Sequence, residues 1–304
     1  MAKQVLEGDV RRVEGLCKKV LGASPREIVR MGGATNRTYH VYLNDGREYV
    51  ARIPGEGTEE IIVREDEKKS TFLASKLGID TNILYFDDLG QKISEYIKGA
   101  VTMDDVKLRD PKRIEKVAAI FRTLHSCDVD TAVPFEVFDM ARVYEKVIYE
   151  NNVPLYPDYE EVKSRVMGIK EEIDALCKPT KAPCHNDALC ENWVEDENER
   201  LYLIDWEYAG MNDPFWDLAD VSIEAKYTHV EDELILNWYL DKKPSSSDSM
   251  HLLANKIYVD YLWTLWAKTR VPFDGKPMEN WADERYARLK TFIGEYERMK
   301  GKAL

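Results

Sequence analysis

The stretch PCHNDALCENWVEDENERLYLIDWEYAG, residues 183–210, decides how this chain is read. Two short strand-like runs, WVE at 193–195 and LYLI at 201–204, flank the polar segment DENER at 196–200. A polar turn between apolar runs predicts a hairpin. Folding the pair about 198–199 sets Asn192 across from Asp205, with Asp187 on the loop that leads in. An amide oxygen and a carboxylate at one open end make a hard oxygen site, of the kind that holds Mg²⁺ on phosphates. Asp187 is then left to accept a proton. The same stretch offers Cys184, His185 and Cys190 as a zinc set. Cys184 and His185 are adjacent, which is awkward for one tetrahedral centre, and no second CxxC or HxxxH pair completes the set. A turn carrying chance polar residues remains the third reading of these residues alone.

Upstream, residues 4–21 place apolar side chains at mostly helical spacing and predict a first helix. From 28 to 54 the pattern changes to alternation: Val29 and Met31, then Tyr39, Val41 and Leu43, then Tyr49, Ala51 and Ile53. The NDG triplet at 44–46 marks the hairpin turn. A charged helix follows, expected to bury Ile62, Phe72, Leu73 and Leu77 and to stop at Gly78. Two more strands flank a turn at Asp88–Gly90, and EYIKGAVT reads as a crossover. From Pro111 onward helices dominate, interrupted by the short strands of 184–205 and by KKPSSSDSM at 242–250, which reads as a surface loop. The organisation expected is α+β: a small antiparallel-sheet lobe over 1–97 and a larger, mainly helical lobe over 98–304. A cleft between two such lobes is the usual place for a ligand.

With 304 residues the chain can bury about three quarters of its unfolded surface. The 44% apolar and 33% charged composition is that of a globular protein. The net charge of −13, from 43 basic and 56 acidic side chains, argues against nucleic acid and anionic membranes as partners. Five scattered cysteines do not form a disulfide framework and suit a reducing compartment. No apolar h-region opens the chain and no apolar run approaches the ~18 residues of a membrane span. A cytoplasmic location is the expectation.

His185-x-Asp187 with Asn192, then IDWE at 204–207, resembles the H-x-D-x-x-x-x-N and I-D-[FW]-E signatures of choline and ethanolamine kinases. These belong to the aminoglycoside-phosphotransferase-like branch of the protein-kinase fold. The resemblance continues through Glu224, through YLWTLWAK and RYARLK near the C-terminus, and through GGATNRTYHV and YVARIPG near the start. It implies ATP and Mg²⁺ as cofactors, with residues 1–97 as the nucleotide-binding lobe. It implies Asp187 as the base, Asn192 and Asp205 as metal ligands, and Glu207 as a further acid at the metal. His185 orients the loop, and Asp217 supports it. Gly33, Thr35 and Asn36 match the phosphate-covering loop, where glycine lets amides approach oxygens. Arg52 stands where most kinases carry lysine, and its partner is an acid on the next helix, Glu67 in preference to Glu65. Glu95, Tyr96 and Ile97 sit where the family's backbone meets adenine.

For the second substrate, a quaternary ammonium has no N–H to donate. Aromatic faces and a carboxylate are its physical partners, worth about 0.5–2 kcal/mol per well-placed ring. Trp263 and Trp266 share a helix face by spacing. With Glu224 and Tyr286 they match the family's substrate pocket. His229 stands where the family often places a further aromatic residue, with Tyr227 near but out of line. The function implied is phosphorylation of choline. The alternatives are another amino alcohol such as ethanolamine, an aminoglycoside or sugar acceptor, or a non-catalytic ligand-binding relative.

Overall fold

The computed structural model describes residues 7–31, 36–55 and 63–303. In chain order the elements are α1 (Glu7–Leu21), β1 (Pro25–Arg30), β2 (Asn36–Leu43), β3 (Glu48–Pro54), α2 (Arg64–Lys76), β4 (Ile83–Phe86), β5 (Lys92–Glu95) and β6 (Val101–Thr102). They continue with α3 (Pro111–His125), α4 (Val137–Glu150), α5 (Tyr159–Cys177), β7 (Ala182–Cys184), β8 (Trp193–Glu195), β9 (Leu201–Leu203) and β10 (Gly210–Asn212). The last helices are α6 (Phe215–Glu224), α7 (His229–Leu240), α8 (Ser246–Asp274) and α9 (Lys276–Ala303). Internal packing divides the chain into two units, Met1–Met103 with Glu191–Ala209, and Asp104–Cys190 with Gly210–Leu304. The 193–203 hairpin thus packs with the N-terminal elements. Gly33, Thr35 and Ile62 lie outside the described residues. Among the described residues no helix is long and apolar enough to cross a membrane.

The first unit holds an antiparallel sheet in the order β1-β2-β3-β5-β4 and a second of order β6-β8-β9. The alternation of β2 and β3 puts Tyr39, Val41, Leu43, Ala51 and Ile53 on one face, where Val13, Leu16 and Cys17 of α1 pack against them. The opposite face is thereby left to Thr38, His40, Val50 and Arg52. Val29 and Met31 do not join this core, being 41% and 44% exposed. The register pairs Ile28 with Val41 and Val29 with His40, so Ile28 takes the inward side. Helix α2 also differs from expectation. Phe72 is 41% exposed and the buried stripe is Arg64, Glu67, Thr71 and Ala74, a charged face that apolar periodicity does not reveal.

In the second unit α8 is the central helix, buried from Met250 to Leu265 and packed by α9, α6, α4 and α5. The segment 242–250, expected as a loop, is half helix. Ser245 caps α8 through a capping box with Asp248, so a serine-rich run begins the helix.

Asp9 of α1 is buried and accepts from Arg37 at 2.5 and 3.0 Å and from the Tyr39 hydroxyl at 2.6 Å. Burial pushes its carboxyl up, but the bonds from Arg37 and Tyr39 outweigh this and leave it below the usual aspartate range. Its stabilisation is therefore complete above the unfolded value of about 3.9 and is lost as pH falls through the folded value. Asp9→Asn should cost about 2 kcal/mol in denaturant unfolding at pH 7. The gap from wild type should narrow as the pH drops below about 4.

Candidate active site

In the first unit the candidate site is built around Arg52. Burial of Ala51 and Ile53 in the core aims Arg52 at the opposite face of the sheet. Its Nη1 donates to Glu67 Oε1, and its Nε and Nη2 donate to the Gly90 carbonyl at 3.3 and 3.1 Å. Nη1 also lies 3.7 Å from Asp205 Oδ1. The second Glu67 oxygen accepts from Arg64 Nη1 at 2.6 Å. Glu67 is thus the partner of Arg52, while Glu65 pairs with Lys69. Burial raises the Glu67 carboxyl, but the charges and hydrogen bonds of Arg52 and its neighbours bring it below the usual range. Lys92 stands directly opposite Arg52 in the β3–β5 ladder, and the two cations lie 5.9 and 5.2 Å from the Phe86 ring. Burial first, then the Arg52 charge, holds the Lys92 ammonium below the usual lysine range.

The hairpin register is one residue tighter than expected. Trp193 pairs with Leu203, and the Ile204 N–H donates to the Asn192 carbonyl at 2.9 Å. Ile204 therefore faces Asn192, and Asp205 is the first residue beyond the ladder. There it adopts φ +69, a left-handed conformation that aspartate tolerates better than most residues. Glu207 accepts from Asn36 Nδ2 at 3.0 Å, while the buried Asn36 Oδ1 has no hydrogen-bond partner among the described residues. Burial, followed by the Asp205 charge, pushes the Glu207 carboxyl up to about 7. The Glu207 and Asp205 carboxylates, with Asn192 on the same hairpin, form a donor set that a hard divalent cation would neutralise.

On the Arg52 face of the sheet, Val50 pairs with His40 on one side and Ser94 on the other. The His40 ring stacks on Tyr96 at 3.7 Å and its Nε2 lies 2.7 Å from Glu48 Oε2. Asn82 donates to Glu95 Oε1 at 3.3 Å. Residues 95–98 also wall a pocket of about 410 Å³ together with residues 80–82 and the hairpin tip; Arg52, Glu67 and Asp205 are not among its walls.

In the second unit the loop 185–188 is clamped by acids of α6. Asp217 accepts the N–H groups of His185 and Asn186, each at 2.8 Å, and lies 3.0 Å from His125 Nε2. Asp220 accepts the Ala188 N–H at 2.5 Å. Between them Asn186 takes φ +66, and its side-chain oxygen accepts from Asn212 at 2.9 Å. The buried His185 accepts the Asp187 N–H through Nδ1 at 3.3 Å, which leaves the half-buried Asp187 carboxylate on a fixed backbone. Burial, then the charges of Glu224 and Asp187, pushes the Asp220 carboxyl well above the usual range. The Cys184, His185 and Cys190 set, already awkward in sequence, is not what meets here. Among the described residues the metal-capable groups that converge, within 4.8 Å, are His125, Cys184 and Asp217. Both Asp217 oxygens already accept hydrogen bonds, and the Cys184 thiol donates to the Asn212 carbonyl at 3.6 Å.

Asp217, Asp220 and Glu224 follow at i, i+3 and i+7, one face of α6. Arg285 donates from Nη2 to Glu224 and from Nη1 to Asp260 at 3.1 Å, and Arg288 donates to both Asp260 oxygens at 2.8 and 2.6 Å. Trp263 and Trp266 meet edge to face with centroids 6.0 Å apart. Trp281, not expected from the sequence, extends the cluster at 6.0 Å from Trp266, and the Arg285 guanidinium lies 4.0 Å over its ring. Tyr286 is placed differently. Its ring stacks on Tyr156 at 3.7 Å and its hydroxyl donates to Asp158 at 2.9 Å. Trp281 and Arg285 are four residues apart on α9 and share a face, from which Tyr286 is rotated by about 100°. His229 is exposed at the start of α7, and the Tyr227 hydroxyl donates to the Leu108 carbonyl at 3.0 Å.

Residues 28–262 match the family model for choline/ethanolamine kinase. The chain belongs to the choline/ethanolamine kinase family. A solved family protein from Mesorhizobium loti is 32% identical and superposes with a TM-score of 0.84, covering 97% of this chain and 98% of that one. The choline kinase LicA from Streptococcus pneumoniae is 31% identical with a TM-score of 0.81, covering 95% and 100%. Ethanolamine kinase 2 from Mus musculus is 27% identical over 261 residues, 77% of this chain and 67% of the relative. The fold is that of the kinase-like phosphotransferases, and the protein is an ATP-dependent small-molecule kinase.

In this kinase Gly90 belongs to the Arg52 cluster, although in sequence it reads as a turn glycine. Its φ is +85, and a Cβ there would stand 2.6 Å from Arg64 Nε. Gly90→Ala should displace Arg64 from Glu67 and loosen the acceptor that fixes Arg52. The expected outcome is a rise in the KM for ATP of about tenfold, one lost charge-assisted bond, with circular dichroism unchanged.

Proposed function

We propose that this kinase transfers the γ-phosphoryl group of MgATP to the hydroxyl of choline, releasing phosphocholine and ADP. The observation that carries this reading is the cluster of Trp263, Trp266 and Trp281, joined through Arg285 to Glu224. Aromatic faces hold a trimethylammonium group that has no proton to share.

In this reading Asp187 accepts the hydroxyl proton of choline as its oxygen bonds to the γ-phosphorus and the bond to the β-phosphate oxygen breaks. The α6 acids hold the loop so that the carboxylate need not reorganise. Arg52, fixed by Glu67 and Gly90, steadies the phosphates. The nucleotide runs along the sheet face past Val50, Ser94 and His40, with its base toward Glu95–Ile97. Asn192, Asp205 and Glu207 would hold magnesium, which when bound neutralises charge on the β- and γ-phosphate oxygens. Asn36, the first residue of β2, donates to Glu207 among these acids.

Ethanolamine is the second reading. The exposed His229, where a further aromatic residue would enlarge the cage, favours it, as does the likeness to an ethanolamine kinase. A coupled ADP-release assay with choline, ethanolamine, an aminoglycoside and a neutral sugar separates the acceptors. Choline is expected to lead, and a neutral sugar in front would overturn the ammonium reading. Asp187→Ala should lower kcat by about 10³-fold, a typical loss for a general base, with an unchanged thermal transition. Phosphocholine formation at the wild-type rate by that variant would assign the base elsewhere.

A further inference from the structure

We propose that Arg285 determines which ammonium this kinase accepts: by holding Glu224 it makes the site suited to a quaternary ammonium and poor for a primary one. The inference rests on the acceptor reading above and goes beyond it to the residue that sets selectivity. Arg285 is 3% exposed and ties three helices together, reaching Glu224 at the end of α6, Asp260 on α8 and the Trp281 ring on its own helix α9. A carboxylate at a helix C-terminus meets the negative end of the helix dipole, and Arg285 offsets both.

The charge around this region does not discriminate between the two acceptors. Four acids, Asp187, Asp220, Glu224 and Asp260, gather around Arg285 and Arg288, so either ammonium is attracted. Hydrogen-bond acceptors do discriminate. A primary ammonium carries three N–H donors that need oxygens when they leave water, whereas a trimethylammonium carries none. Asp260 accepts from Arg285 and Arg288, Asp220 accepts from Ala188, and one oxygen of Glu224 accepts from Arg285. Beside these acids stands the cluster of Trp263, Trp266 and Trp281.

The test is the ratio of kcat/KM for choline to that for ethanolamine in wild type, Arg285→Gln and Arg288→Gln. Arg285→Gln frees Glu224 and should lower the ratio about tenfold, the worth of one charge-assisted bond. Arg288→Gln removes the donors to Asp260 but leaves the Arg285–Glu224 pair in place, and should leave the ratio within about twofold. An unchanged ratio in Arg285→Gln, with wild type active, overturns this inference and leaves the acceptor reading standing. Turnover of neither amino alcohol by wild type overturns both. Inhibition of the wild-type enzyme needs no variant to fold. Tetramethylammonium should compete with choline more strongly than methylammonium, and the reverse order would refute the role of Arg285.

Discussion

A carboxylate removed from water must find donors, and on α6 the donors it finds are backbone amides of the loop that carries Asp187. Asp217 takes two of them and Asp220 a third. Bonds of this kind contribute about 1.5–3 kcal/mol each, and leaving one unmade inside the protein costs at least as much. The loop therefore has little freedom to relax. The left-handed Asn186 is held by the same constraint, since its own N–H and that of His185 are tied to one carboxylate. Under the proposed function the reacting side chain, Asp187, is placed by groups that do not themselves react, and His125 and His185 bond to the same network.

The first unit solves a parallel problem with the opposite charge. A lysine at position 52 would be satisfied by Glu67. An arginine presents five N–H donors in a rigid fork and needs a second acceptor, which the Gly90 carbonyl supplies. This makes the β4–β5 turn part of the candidate site. It also explains why a side chain is excluded at Gly90, where Arg64 lies across the α-carbon on its way to Glu67. The arginine on β3 and the glycine of the β4–β5 turn form one device.

Where burial follows apolar pattern, the sequence was legible. The alternation of Tyr39, Val41, Leu43 with Ala51 and Ile53 identified the core face, and so by exclusion the face that carries Arg52. Where burial follows charge, it was not. The inward stripe of α2 is Arg64, Glu67, Thr71 and Ala74, and hydrophobic spacing pointed instead to Phe72. Register was legible to within one residue. The turn composition located the hairpin, but pairing about 198 rather than between 198 and 199 moves Asp205 out of the ladder and into a left-handed turn. The family signature grouped Trp263, Trp266, Glu224 and Tyr286, whereas the structure sets Trp281 against Trp266 and stacks Tyr286 on Tyr156. The face of α9 that joins them carries Trp281 and Arg285, a spacing of four that was visible without being read. Asp220 had a similar signal, the i, i+3, i+7 run of acids on α6.

The two units leave their acids in different states, and the difference bears on what each is built to hold. In the first, Glu207 is pushed up to about 7 by burial and by Asp205, so negative charge is held against its own preference. Such a cluster suits a small, hard, multiply charged cation that binds carboxylate oxygens directly. In the second, Glu224 and Asp260 are answered by guanidinium groups, and aromatic surface is placed beside them. Such a region suits a large, weakly hydrated cation held by faces rather than by oxygens. A carboxylate left unanswered in the second unit would attract small cations and primary amines as readily as a quaternary one. Pairing it internally removes that competition while the remaining acids keep the long-range attraction. Discrimination between two positively charged ligands is then achieved by deciding which acids a guanidinium answers.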